Sequence, residues 1–254
     1  MPSVTPRDAI VAYLDELLDP TAFKDYGPNG LQVPGKDEVR TVVTGVSANR
    51  ALIETAIASG ADLLLVHHGL FWGKTDGIDH LLAGRLRPLF KHDVSLVAYH
   101  LPLDAHPEVG NNAILADALE LTARGTFAPH GGRDLGLHGT LPGDGLEPEA
   151  FAALVGSVTQ TPLAFLHGPE RVRTVGLVTG SAADDVHEAA ALGLDAFITG
   201  EPAERSQGAA EEEGIHFLAA GHHATERFGV RRLGDLLAHR FGIDHHFVDI
   251  ENPV

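Results

Sequence analysis

Three short stretches of this chain end in residues that bind metal ions or carry protons. Ala61-Asp62-Leu63-Leu64-Leu65-Val66-His67-His68-Gly69 is an apolar run of strand length that stops at two imidazoles and a glycine. A second apolar run leads into Ala98-Tyr99-His100-Leu101-Pro102-Leu103-Asp104, and a third into Gly221-His222-His223-Ala224-Thr225-Glu226. The last two place a carboxylate four residues after a histidine, just past the end of a predicted strand. Imidazole suits Zn, Fe, Ni and Cu, and carboxylate extends the range to Mn and Mg. If these strand ends converge, the chain carries a His/carboxylate site for two transition-metal ions.

Each stretch also has an ordinary structural reading. Consecutive side chains of a strand point to opposite faces, so His67 and His68 can serve one site only where the strand turns, as Gly69 permits. Asp104 could simply cap a following helix. His222 and Glu226 form the stronger pair, because residues four apart share one face of a helical turn. His223 points elsewhere and reads as a supporting or structural residue. Carboxylates and imidazoles at matched strand ends are harder to explain as coincidence than any one of them alone. The other histidines, including His245 and His246 in a predicted last strand, are read as structural.

The elements that must position these residues alternate between strands and helices, which indicates parallel α/β architecture. Thr5-Pro6 reads as the cap and first residue of a helix. A strand at 40–45 leads to a helix capped by Ser47 that ends before Gly60. Strands at 62–66 and 94–98 flank a helix at 79–92, and another helix spans 111–121. Asp25-Tyr26-Gly27-Pro28-Asn29-Gly30 is a loop with two turn signals. The Gly-, Pro- and His-rich stretch 123–145 reads as a linker or irregular hairpin.

The pattern then returns. Val39-Arg40-Thr41-Val42-Val43-Thr44-Gly45 resembles Val172-Arg173-Thr174-Val175-Gly176-Leu177-Val178-Thr179-Gly180, with one short insertion. Residues 60–68 align with 193–201, and His100 to Asp104 matches His222 to Glu226. Such repeats change the fold expected. Two similar α/β domains follow, 1–125 and 126–254, with the C-terminal segment free to pack back on the first. A pseudo-twofold axis would bring their strand ends to a shared cleft, where open α/β sheets bind ligands.

Composition narrows the chemistry. The chain has 254 residues, enough for a sizeable core. It has no cysteine, so thiolate nucleophiles, Cys-type zinc sites and iron–sulfur clusters are excluded. Its 18 Lys and Arg against 35 Asp and Glu give a net charge of −17. Without a basic footprint, stable nucleic-acid binding is not expected. No apolar stretch approaches a membrane span and no signal peptide is visible, so the expected location is the cytoplasm.

At these residues the chain resembles the Nif-three-like proteins, also called GTP cyclohydrolase I type 2 homologues. The resemblance runs nearly end to end. It includes the 25–33 loop, His67-His68-Gly69-Leu70-Phe71-Trp72, His100-Leu101-Pro102-Leu103-Asp104, Gly110-Asn111-Asn112, Ile198-Thr199-Gly200-Glu201 and Gly221 through Glu226. The chain is similar to the short bacterial form. The resemblance implies a dinuclear centre between two similar α/β domains, in a ring-shaped homohexamer. Its ligands would be His67, His68, Asp104, His222 and Glu226, with Glu226 bridging two divalent ions (Zn, Fe, Mn or Ni).

Two ions about 3.5–4 Å apart can hold a bridging water and lower its pKa. His100 is then a candidate proton carrier. Glu201 could orient a water, a ligand imidazole or the substrate. Asp25 and Asn29, in a loop expected to cover the cleft, are candidate substrate contacts. Phe71 and Trp72 could stack a base or pack between subunits. The family name implies hydroxide attack on C8 of guanine with release of formate. The residues themselves reach only metal-assisted hydrolysis of a small molecule, possible on a nucleotide, a phosphoester or an amide. Metal handling without turnover, or a scaffold role, stays open.

Overall fold

A computed structural model describes residues 3–73 and 77–254. Met1 and Pro2 of the N-terminal run lie outside the described residues. In chain order the elements begin with β1 (Thr5–Pro6), α1 (Arg7–Leu18), β2 (Gly30–Val33), β3 (Glu38–Val39) and β4 (Thr41–Ser47). They continue with α2 (Arg50–Ala58), β5 (Leu63–His68), α3 (His80–Lys91), β6 (Ser95–Ala98), α4 (Leu101–Asp104) and α5 (Asn111–Ala118). Next come β7 (Thr122–His130), β8 (Arg133–Thr140), α6 (Pro148–Val158), β9 (Leu163–Leu166), β10 (Thr174–Val178) and α7 (Val186–Ala191). The chain closes with β11 (Ala196–Thr199), α8 (Ser206–Glu213), β12 (His216–Ala219), α9 (His222–Phe241) and β13 (Asp244–Phe247).

Two units result. Unit one comprises Met1–Leu103 and Gly229–Glu251, and unit two Asp104–Phe228 and Asn252–Val254. The stretch 123–145, read as linker or hairpin, forms most of the β7–β8 hairpin within unit two. The C-terminal strand β13 belongs to unit one, where it pairs parallel with β4.

Unit one holds a five-stranded sheet in the order β13-β4-β5-β6-β2, parallel except for the edge strand β2. Its central strand β5 is Leu63-Leu64-Leu65-Val66 before the histidines, and all four apolar residues are fully buried. A strand covered on both faces reads as a continuous apolar run, and each such side chain contributes roughly 1.5–3 kcal/mol. Leu52 and Ile53 of α2 and Leu89 of α3 pack against Leu64, Val66 and Leu96. Asn49 caps α2 through Leu52 N, and Asp79 caps α3 through Leu82 N.

Unit two holds a six-stranded sheet in the order β7-β8-β10-β11-β12-β9. Its three central strands are parallel and β9 is an antiparallel edge, as β2 is in unit one. Phe151, Val175, Leu177, Ile198 and Leu218 build its core.

The expected repeat is visible in the hydrogen bonds. Asp62 Oδ2 accepts from Arg40 N at 2.9 Å and Thr41 N at 3.2 Å. Asp195 Oδ2 accepts from Arg173 N and Thr174 N, both at 2.8 Å. Each aspartate ties the start of its unit's first central strand to the start of the second.

Three local expectations change. Thr5-Pro6 pairs with Glu38-Val39 instead of capping α1, because the segment finds a strand partner. Ser47 ends β4, and Asn49 caps α2 in its place. The short insertion inferred between 39–45 and 172–180 is absent. Val42 pairs with Leu63 and Val175 with Ala196, which makes Ser47 the counterpart of Gly180.

Candidate metal centre

In unit one, β5 delivers His67 and His68, and the turn after β6 delivers His100. Their ligand atoms lie within 4.8 Å of one another. The ring centroids of His67 and His68 are 4.6 Å apart, and those of His67 and His100 are 5.0 Å apart. His67 is fully buried. Its Nδ1 donates to Tyr99 O at 3.0 Å. A carbonyl can only accept, so the neutral ring carries its proton on Nδ1 and its lone pair on Nε2. His68 Nδ1 meets Ser47 Oγ at 2.9 Å.

His100 is held the same way. Its Nδ1 donates to Asp25 Oδ1 at 2.7 Å. Asn29 Nδ2 donates to Asp25 Oδ2, Leu101 N donates to the same oxygen, and Asn29 Oδ1 accepts from His100 N. The Asp25 side chain is only 3% exposed. Burial by itself would raise its pKa, but His100, Asn29 and the Tyr26 amide outweigh burial and hold it below the ordinary carboxylate value. Asp25 and Asn29, read as substrate contacts in a covering loop, therefore spend their polar atoms on each other, on His100 and on the Leu101 amide, and pin that loop in place.

In unit two, Asp104 sits at the end of α4 and is buried. Its Oδ1 accepts from Asn111 Nδ2 at 2.8 Å and Thr179 Oγ1 at 3.2 Å. The buried Asn112 joins the same network: its Nδ2 donates to Asp104 O and Leu135 O, and its Oδ1 accepts from Thr179 N. Sequence reasoning gave Asn111, Asn112 and Thr179 no role. The available signal was two adjacent amide side chains on a helix otherwise patterned for burial.

His222 and Glu226 open α9 one turn apart, and the carboxylate is buried. His222 Nδ1 donates to Glu201 Oε1 at 2.5 Å, while its Nε2 faces Glu226 Oε2 at 3.0 Å. Burial favours the neutral ring, yet the carboxylates of Glu226 and Glu201 push its pKa up to about 9. Gly180 makes room for this pair. A Cβ there would run into the Glu226 carboxylate, and its φ of +74° suits glycine. Gly180 O also accepts from Gly200 N and Glu201 N, fixing the strand end that carries Glu201. His223 is buried, and its amide donates to Val254 O.

The donor set fits a divalent transition metal. His67, His100 and His222 each have Nδ1 engaged by an acceptor-only oxygen, so Nε2 is the ring atom through which each could meet a metal ion or carry a proton. Metal-binding histidines are oriented by this kind of supporting bond. The donor chemistry is the one expected of a His/carboxylate metalloprotein built on repeated α/β units.

The chain belongs to the Duf34/NIF3 (NGG1p interacting factor 3) family, whose model matches residues 5–253. It is 46% identical over 250 residues to a protein of Vibrio cholerae named GTP cyclohydrolase 1 type 2 homolog, covering 96% of this chain and 97% of that one. A Pseudomonas aeruginosa protein of the same name is 43% identical over 245 residues, with 96% and 97% covered. A solved structure of protein ybgI, described as of unknown function, superposes with a TM-score of 0.92 at 41% identity, covering 98% of this chain and 100% of that one. Among the described residues, no helix is long and apolar enough to cross a membrane.

Proposed function

We propose that this chain is a dinuclear metal-dependent hydrolase acting on a small nucleotide-like molecule, with purine ring opening as the leading reaction. The observation that carries the reading is the common restraint on His67, His100 and His222, each held through Nδ1 by an oxygen that can only accept. His67, His68, Asp104, His222 and Glu226 are the residues that would hold the ions. Two divalent ions, Zn, Fe, Mn or Ni, would supply Lewis acidity and an activated water.

The chain's own residues divide the remaining work. His100 moves a proton through Nε2, and Asp25 fixes its tautomer. Glu201 orients His222 rather than touching substrate. Asn111 and Thr179 donate to one oxygen of Asp104 and orient the carboxylate. The name shared by the relatives supports a purine nucleotide as substrate. The resemblance also supports a cytoplasmic homohexamer, which light scattering on the purified protein tests.

The deciding experiment measures formate release from GTP by protein shown to hold two ions, beside Glu226→Ala. Turnover lost in the variant supports the reading. No turnover by fully loaded protein would sink ring opening, and phosphoester substrates and metal exchange would be tested next.

A further inference from the structure

We propose that Trp72 and Tyr26 form a stacking subsite for a planar heteroaromatic ring, set against His100. The inference deepens the hydrolase reading and rests on it for the chemistry that follows binding. The two side chains are among the exposed large hydrophobics, Trp72 at 43% and Tyr26 at 61%. Single exposed apolar residues need no explanation. These two flank the same imidazole. The indole lies 5.1 Å from the His100 ring, centroid to centroid, with the planes at 89°. The phenol ring is 6.1 Å from it. Trp72 is also 5.7 Å from His68.

The pair is held in place before any ligand arrives. Trp72 Nε1 donates to Gly69 O at 3.1 Å, so the indole offers its π surface rather than its polar edge. Gly73 N donates to Tyr26 O at 2.8 Å and staples the two loops together. Gly27 lies so close to Phe71 O that a Cβ would collide with it. Rigid aromatic groups lose little entropy on binding.

The occupant follows from size and setting. Two partly exposed aromatic side chains offer roughly 250 Å² at most. A stable protein interface needs about 800 Å² per partner. The pair borders the imidazoles of His68 and His100 on one side, and Trp72 lines a cavity with Leu70, Ile78, Leu81 and Leu82 on the other, a setting that suits a planar ring with polar atoms at one edge. Asp25 and Asn29 are already engaged by His100, which leaves stacking as this loop's means of recognition. A purine base meets these conditions.

The chain contains a single tryptophan, so its fluorescence reports Trp72 alone. Metal-loaded and chelator-treated protein would be titrated with guanosine and with ribose 5-phosphate, exciting at the red edge of tryptophan absorption. Saturable quenching by guanosine in both forms, with none by ribose 5-phosphate, is the expected result. Tyr26→Ala should weaken binding roughly 10- to 100-fold, and Tyr26→Phe should restore it. Absence of saturable guanosine quenching would overturn the subsite, as would equal quenching by ribose 5-phosphate. Shielding of Trp72 from acrylamide at high protein concentration, relieved by dilution, would assign the pair to a second copy of the chain and also overturn it. Guanosine binding without hydrolysis of any nucleotide would keep the subsite and sink the hydrolase reading. Hydrolysis without quenching would do the reverse.

Discussion

The two units place chemically different groups at corresponding strand ends. In unit one, Ser47 lies beside His68, and a hydroxyl steadies an imidazole. In unit two, the counterparts are Gly180 and Glu201. The absent side chain of Gly180 leaves space for the Glu226 carboxylate, and Glu201 steadies His222. Unit one thus offers imidazoles held by a carbonyl, a hydroxyl and a carboxylate. Unit two offers two buried carboxylates and one imidazole between carboxylates. A buried carboxylate needs donors or a cation, which explains why Asn111, Thr179 and Asn112 gather at Asp104. The same repeated scaffold thus carries imidazoles at the strand ends of unit one and carboxylates at those of unit two.

The largest effect should come from removing that charge. Glu226→Ala should lower metal affinity by roughly 100-fold or more, beyond the 10–100-fold typical of supporting residues. Metal analysis after dialysis against a graded chelator series reads this directly. Full retention of two ions would break the assignment of charge to unit two.

Gly180→Ala forces a side chain into a left-handed residue and against Glu226, and should cost about 1–3 kcal/mol together with metal affinity. At Gly45 in unit one the obstruction is Leu52's methyl groups. Gly45→Ala should therefore destabilise without changing metal content. Parallel denaturant melts and metal analyses of both variants separate the two cases.

Support for the ligands should matter less. Asn111→Ala, Thr179→Val and Ser47→Ala should each lower metal affinity about 10–100-fold. The two changes around Asp104 should prove non-additive, because both groups donate to the same oxygen. Competition with a chromophoric chelator measures each.

His222 gives unit two a pH signature. Its folded pKa is raised to about 9 from an ordinary 6.5. In metal-free protein its stabilising contribution is fully present below pH 6.5 and disappears as pH rises through about 9. Metal affinity should run the other way and rise with pH across this window, since the ion displaces the proton. Melting temperatures of stripped wild-type and His222→Gln protein should converge toward alkaline pH. A constant gap would exclude the proton as the source.

The smallest contrast lies in the strand-start aspartates. Asp62→Asn should cost slightly more than Asp195→Asn, because Asp62 also pairs with Lys36 at 2.8 Å. Burial would raise the Asp62 pKa, but Lys36 and the backbone amides hold it low. Its contribution is therefore present above the unfolded carboxylate pKa and lost as pH falls through the lower folded value. Urea melts at neutral and acidic pH test this.

Much of the layout is legible in residue order. The apolar run 63–66 specifies a buried central strand, and Asp62 with Asp195 marks the repeat. Histidines and carboxylates at strand ends identify the candidate ligands. Cap choice was less legible, because Ser47 and Asn49 are both good capping residues and only the length of β4 selects between them.

By itself the sequence determined the α/β class, the repeat, the family and the candidate donors, because these depend on local periodicity and on residue types at fixed spacing. Tertiary structure alone decided how the donors are supported. Asp25 meets His100 across 75 positions, Thr179 meets Asp104 across 75, and Glu201 meets His222 across 21. No local pattern encodes which distant oxygen will face which nitrogen. That depends on strand order, on the exact register that matches Ser47 with Gly180, and on burial, which requires each polar atom to find a partner.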